Sequence, residues 1–177
     1  DTQKGAARSF PDFRCPSSAT ASCILAEADQ EEISFTFFDP MHGRGSEAVR
    51  VRGQPARFFW DLSPDGLQLA YGEFKSEEND SITILKLKDS KPQPLPLSGQ
   101  SNLSSHSWAA GGRGLFVTTK RREGSDLLHV RLIDGHITVL REEKGRVFLS
   151  PRPSPDGRFL AYAIRTTDSN VWLLEAK

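Results

Sequence analysis

Two cysteines, four histidines and one glycine-rich run are the parts of this sequence whose residue types could carry chemistry. Cys15 and Cys23 flank a stretch of small residues, Pro16 to Ser22. Without histidines at ligand spacing they make a poor zinc site, because structural zinc takes four ligands. On the two arms of a hairpin they can instead form a cross-strand disulfide; two unpaired, partly buried thiols are the alternative. A disulfide goes with an oxidising compartment, so a periplasmic or other extracytoplasmic location is expected over the cytoplasm. His42, His106, His129 and His136 are scattered, and His129 alternates with Leu128 and Val130, so it should face solvent or a neighbouring sheet. The run Gly43-Arg44-Gly45-Ser46-Glu47-Ala48 mimics a dinucleotide fingerprint but leads into a strand pattern rather than a helix. The Gly-x-Ser-x-Gly turn of a hydrolase nucleophile is missing from the sequence. These residues assemble no catalytic constellation, and no catalytic residue, metal or cofactor is expected.

The totals narrow the partners. The chain has 177 residues, with Lys+Arg 23 and Asp+Glu 23, hence a net charge of zero. A protein that grips nucleic acid through phosphates shows a basic excess or face. Here the short basic runs, Lys120-Arg121-Arg122 and Arg50 with Arg52, have acidic neighbours, so no direct nucleic-acid binding is expected. The longest apolar runs, such as Phe159 to Ile164, fall far short of the ~20 residues of a membrane helix. The opening DTQKGAARSF has no apolar signal core.

The elements that must position these residues repeat. Ser63-Pro64-Asp65-Gly66 returns as Ser154-Pro155-Asp156-Gly157, 91 positions later. The midpoint falls on Ala109-Ala110-Gly111-Gly112, ahead of Leu115-Phe116-Val117, and an equal step back falls on Ser17, ahead of Cys23-Ile24-Leu25-Ala26. Four units are thus predicted, approximately 13–57, 58–103, 104–148 and 149–177. In each, a strand enters a turn and an apolar strand follows, at 23–28, 67–74, 115–119 and 158–165. After a polar loop such as Lys75 to Asp80 comes an alternating strand: Ile33 to Phe37, Ile82 to Leu87, Leu128 to Leu132 and Val171 to Leu174. Period-two alternation marks strands with one buried face. A fourth short strand, such as His136 to Leu140 or the proline-rich Pro92 to Pro96, ends a unit, proline being tolerated at sheet edges. Asp and Gly in the turn serve a hairpin: Asp bonds the backbone ahead and Gly accepts positive φ. No helix pattern appears. The prediction is all-β: a β-propeller of four-stranded antiparallel blades, which must bury their faces on one another.

The segments SPDGLQLAYG and PSPDGRFLAYAI, followed by SITILKL and SNVWLLE, resemble the TolB-type, WD-like β-propeller repeat. The second and fourth units match well; the third keeps Trp108 but replaces Pro-Asp-Gly, and the first lacks the turn. The first unit and the ending SNVWLLEAK also resemble the C-terminal propellers of large bacterial regulators that carry a winged-helix or serine/threonine kinase domain. Such propellers also resemble the cap of prolyl-oligopeptidase-like hydrolases. The resemblance implies a ring of usually more than four blades, so the four units either close by themselves or form part of a larger ring, completed by further chain or by a homodimer through open blade edges. It implies a non-catalytic binding, sensory or scaffolding module for a protein or small ligand within a larger regulator. The alternatives are a substrate-gating domain of such a hydrolase and a periplasmic TolB-like partner-binding protein. Trp60, Trp108 and Trp172 are expected to pack between blades. Arg14, Arg57, His106 and Arg152, just ahead of the turns, are the expected residues of the channel mouth, and their basicity points to an acidic partner.

Overall fold

A computed structural model describes residues 12–18, 20–73, 81–89, 91–97 and 102–166. Among them the chain is built from antiparallel hairpins. The first sheet is β1 (Asp12–Arg14), β2 (Cys23–Asp29), β3 (Glu32–Asp39) and β4 (Gly43–Arg52), in that spatial order. The second is β5 (Phe58–Leu62), β6 (Gln68–Glu73), β7 (Ser81–Lys86) and β8 (Pro92–Leu95), and the third is β9 (Leu103–Trp108), β10 (Gly114–Arg121), β11 (Gly124–Arg131) and β12 (Ile137–Lys144). The fourth sheet shows β13 (Arg146–Pro153) paired with β14 (Leu160–Thr166). No α-helix occurs among the described residues, which hold only a 3-10 turn at Pro55–Arg57, and no helix is long and apolar enough to cross a membrane. The expected all-β architecture of four-stranded antiparallel sheets is therefore present. The expected strand at Val171 to Leu174, with Trp172, lies outside the described residues, as does the loop Lys75 to Asp80.

Side-chain alternation explains how the sheets stack. In the second sheet, Leu69 and Leu85 turn toward the first sheet and join Ile24, Ile33, Phe35, Trp60 and Leu62 in one apolar cluster. Their immediate neighbours Ala70 and Ile84 turn the other way and join Trp108, Leu115, Val117, Leu128 and Val130 of the third sheet. The second sheet is thus dry on both faces, and each large aliphatic side chain so buried contributes ~1.5–3 kcal/mol. Phe35 meets Trp60 edge-on at 5.1 Å across the first interface. Across the last interface, Ser125 on β11 donates its hydroxyl to the Arg146 carbonyl at 3.0 Å and accepts the Phe148 N–H at 2.8 Å. β9 packs against β5 on one side and β13 on the other, so the first strands of successive sheets lie side by side.

Two strands are longer than the sequence pattern indicated. Gly43-Arg44-Gly45 opens β4 rather than preceding a strand, and β12 continues past Leu140 to Lys144. Both are mostly exposed outer strands, where charged residues pair along the strand and across the ladder. Arg50 reaches Glu47 at 2.6 Å and Glu32 at 3.2 Å, and Arg141 bonds Glu143 at 2.8 Å. A search for apolar alternation misses such strands because no face of them is dry.

Candidate functional site

The turns that end the first strands lie around the place where those strands converge. In the second sheet the Ser63 hydroxyl donates to Asp65 Oδ1 at 2.5 Å and accepts the Gln68 N–H at 2.9 Å, while Asp65 accepts the Leu67 N–H at 3.0 Å. Ser154, Asp156, Arg158 and Phe159 repeat these bonds in the fourth, and they hold the Asp156 carboxyl below the usual carboxylate range, the Ser154 hydroxyl contributing most. Gly66 and Gly157 take φ of +73° and +70°, which favours glycine. They also lie against the preceding turn: a β-carbon on Gly66 would sit 2.9 Å from that of Ala21, and one on Gly157 would sit 3.3 Å from that of Ala110.

The first sheet has no such serine and aspartate in its turn. A disulfide between Cys15, just past β1, and Cys23, the first residue of β2, closes the equivalent connection. The closed segment leans on the second turn, where the Ser18 N–H and the Ser17 hydroxyl both reach the Pro64 carbonyl at 3.3 Å.

Among these turns is a cavity of about 210 Å³ whose wall includes Arg14 from the first sheet, Asp61 from the second, Ser107 and Trp108 from the third and Arg152 from the fourth. Asp61 is its hub, although it is only 6% exposed. Its Oδ1 accepts from Arg152 Nη1 at 3.1 Å and lies 3.7 Å from Arg14 Nε. Its Oδ2 accepts the backbone N–H of Trp108 at 3.0 Å, and its carbonyl accepts the Trp108 indole N–H at 3.2 Å. Arg14 also lies over the Trp60 ring at 5.4 Å and bonds Asp12 and the Phe13 carbonyl outside the cavity.

Of the four expected mouth residues, Arg14 and Arg152 meet here. His106 does not line the mouth. Strand alternation turns it toward the second sheet, where it is 6% exposed, donates Nε2–H to the Ala70 carbonyl at 3.0 Å and meets Phe59 edge-on at 4.9 Å. Burial pushes its pKa down to about 4, against an upward pull from Asp61. Arg57 lies elsewhere, exposed on the 3-10 turn at the opposite end of β5, about 13 Å from Asp61 at ~3.3 Å per residue. Asp61 shows in the sequence as a charge inside the apolar strand Phe58–Leu62, about one repeat interval from Arg14 and from Trp108. Among the described residues, no group of three or more His, Cys, Asp or Glu is placed to hold a metal ion.

No protein-family model matches the sequence, and no curated protein matches it. Among solved structures, the fold is similar to TolB from Acinetobacter baumannii, with a TM-score of 0.66 and 16% identity, covering 90% of this chain and 39% of that one. It is similar to a putative TolB from Agrobacterium tumefaciens, with a TM-score of 0.64 and 15% identity, covering 84% and 52%. A structure of prolyl endopeptidases shares it with a TM-score of 0.60 and 12% identity, covering 87% and 26%. The chain therefore spans 39% and 52% of the two TolB chains. At such identities the likeness establishes the fold alone, and that fold is a TolB-like β-propeller.

Proposed function

We propose that this chain is a non-catalytic binding module, which presents the mouth between its inner strands to a protein or small ligand as the sensory or scaffolding part of a larger bacterial regulator. One observation carries the reading: residues from four sheets converge on one cavity whose wall holds Asp61 between Arg14 and Arg152. Sheets fix that wall, two of the turns around it are braced by their own side chains and a third connection is closed by the disulfide, the arrangement by which a scaffold positions recognition loops. His106, the histidine nearest the cavity, supports a role without chemistry, because its N–H is committed to Ala70 and burial keeps the ring neutral. The zero net charge argues against a nucleic-acid partner, and the disulfide favours an oxidising, extracytoplasmic compartment.

The test is to pan a random peptide display library on the immobilised chain and measure the selected peptides on Ala110→Trp, which fills the mouth from its rim. Selected peptides should lose about tenfold or more in affinity, equivalent to ~1.4 kcal/mol. Peptides indifferent to that substitution would place recognition elsewhere. The likeness to prolyl endopeptidases supports a second reading, a propeller that gates substrate for a hydrolase domain. The full reading frame separates the two: a helical regulator or kinase domain belongs to the first, and a Gly-x-Ser-x-Gly domain to the second.

A further inference from the structure

We infer that the axial cavity is a carboxylate subsite, receiving either an acidic side chain of a partner protein or a free small carboxylate between Arg152, Arg14 and Ser107; this rests on the mouth being the binding site. Two guanidiniums and one carboxylate line the cavity, and both oxygens of that carboxylate are in use, Oδ1 with Arg152 and close to Arg14, Oδ2 with the Trp108 N–H. Asp61 therefore holds the two cations beside each other, and although Asp12 pairs Arg14 outside the cavity, the wall itself carries two cations to one anion, which favours a negatively charged guest.

Arg152 spends only Nη1 on Asp61, which leaves Nε and Nη2, two parallel donors of the planar fork that suits a carboxylate. Arg14 Nε is buried without a hydrogen-bond partner among the described residues, and so is the hydroxyl of Ser107, which is 1% exposed. Buried polar groups are rarely left unpaired, and each such exception calls for a missing partner. An anionic acceptor supplies one to an N–H and to an O–H alike.

A cavity of about 210 Å³ lies below the ~300–1,000 Å³ of pockets that enclose a drug-sized molecule. It suits the end of a glutamate or aspartate side chain, or a small dicarboxylate.

Trp108 reports on this wall, because its backbone and indole N–H groups both bond Asp61. The experiment follows its amide and indole signals by nuclear magnetic resonance during titration with three probes: succinate, the capped peptide Gly-Glu-Gly and its counterpart Gly-Gln-Gly. Saturable shifts are expected with a carboxylate probe, at an affinity about tenfold or more above that of Gly-Gln-Gly. Tighter binding of Gly-Glu-Gly assigns the subsite to a partner protein, and tighter binding of succinate assigns it to a free small carboxylate. Arg152→Gln should lower the carboxylate affinity about tenfold. Ser107→Ala, which deletes only a hydroxyl, keeps the test open if the arginine variant fails to fold, and it should weaken the carboxylate probes without affecting Gly-Gln-Gly. Equal affinities for Gly-Glu-Gly and Gly-Gln-Gly, or no saturable shift with either carboxylate, overturn the inference. Display peptides that remain sensitive to Ala110→Trp but tolerate Glu→Gln would then still leave the mouth as the binding site.

Discussion

His106 shows how one residue's surroundings set a measurable property of the whole. Its ring is enclosed by Phe59 and the Ala70 carbonyl between two sheets, and burial lowers its pKa to about 4 from an ordinary 6.5. The unfolded chain therefore binds a proton between those values that the folded chain refuses. Stability linked to this group is full above pH 6.5 and is lost as the pH falls toward 4, by about 2 kcal/mol between pH 7 and pH 5. Urea midpoints at the two pH values, compared with those of His106→Gln, isolate the effect: the wild type should fall further by about that amount, and parallel curves would refute it. The repeat set this histidine on the first strand of its unit but said nothing of which way it points. Asp61 was illegible for a related reason. Its partners at positions 14, 108 and 152 lie about one or two repeat intervals away, and the repeat relates their strands without showing which side chains turn inward to meet.

At the level of elements, the repeated turn was legible because its chemistry is local. Serine, proline, aspartate and glycine close the same hydrogen bonds wherever they occur together, as Ser63 and Ser154 do. The first unit broke the pattern, and the structure supplies the reason: its corresponding connection is closed by sulfur. Cys15 and Cys23 lie eight positions apart, and a link across so short a loop contributes ~2–3 kcal/mol through the entropy of the unfolded chain. Cys15→Ser with Cys23→Ser should lower stability by that amount in a denaturant titration. Alkylation followed by mass measurement should find no free thiol in the unreduced wild type; two modified cysteines there would remove the basis of the expectation. The outer strands were the least legible elements, since β4 and β12 are governed by charge pairs such as Arg50 with Glu47.

For the molecule as a whole, equal numbers of cations and anions, 23 each, leave no net repulsion between copies near neutral pH. Precipitation by polyethylene glycol should therefore require least polymer near pH 7 and more at pH 5 and pH 9; a minimum displaced to either side would show that the charge balance is not what sets solubility. Solution mass addresses ring completion, the global property that repeat counting left open, because it depends on how many blades meet rather than on the content of any one. Solenoid repeats touch only their neighbours, so units can be added or removed from such arrays with little disturbance. A propeller in which the second sheet's Asp61 is engaged by the third and fourth, with the first sheet's Arg14 beside it, forbids that freedom. Excising the first or the fourth of these blades would take one of its two arginines from a sunken anion far from the cut, so the disturbance would be felt at the centre rather than at the loops.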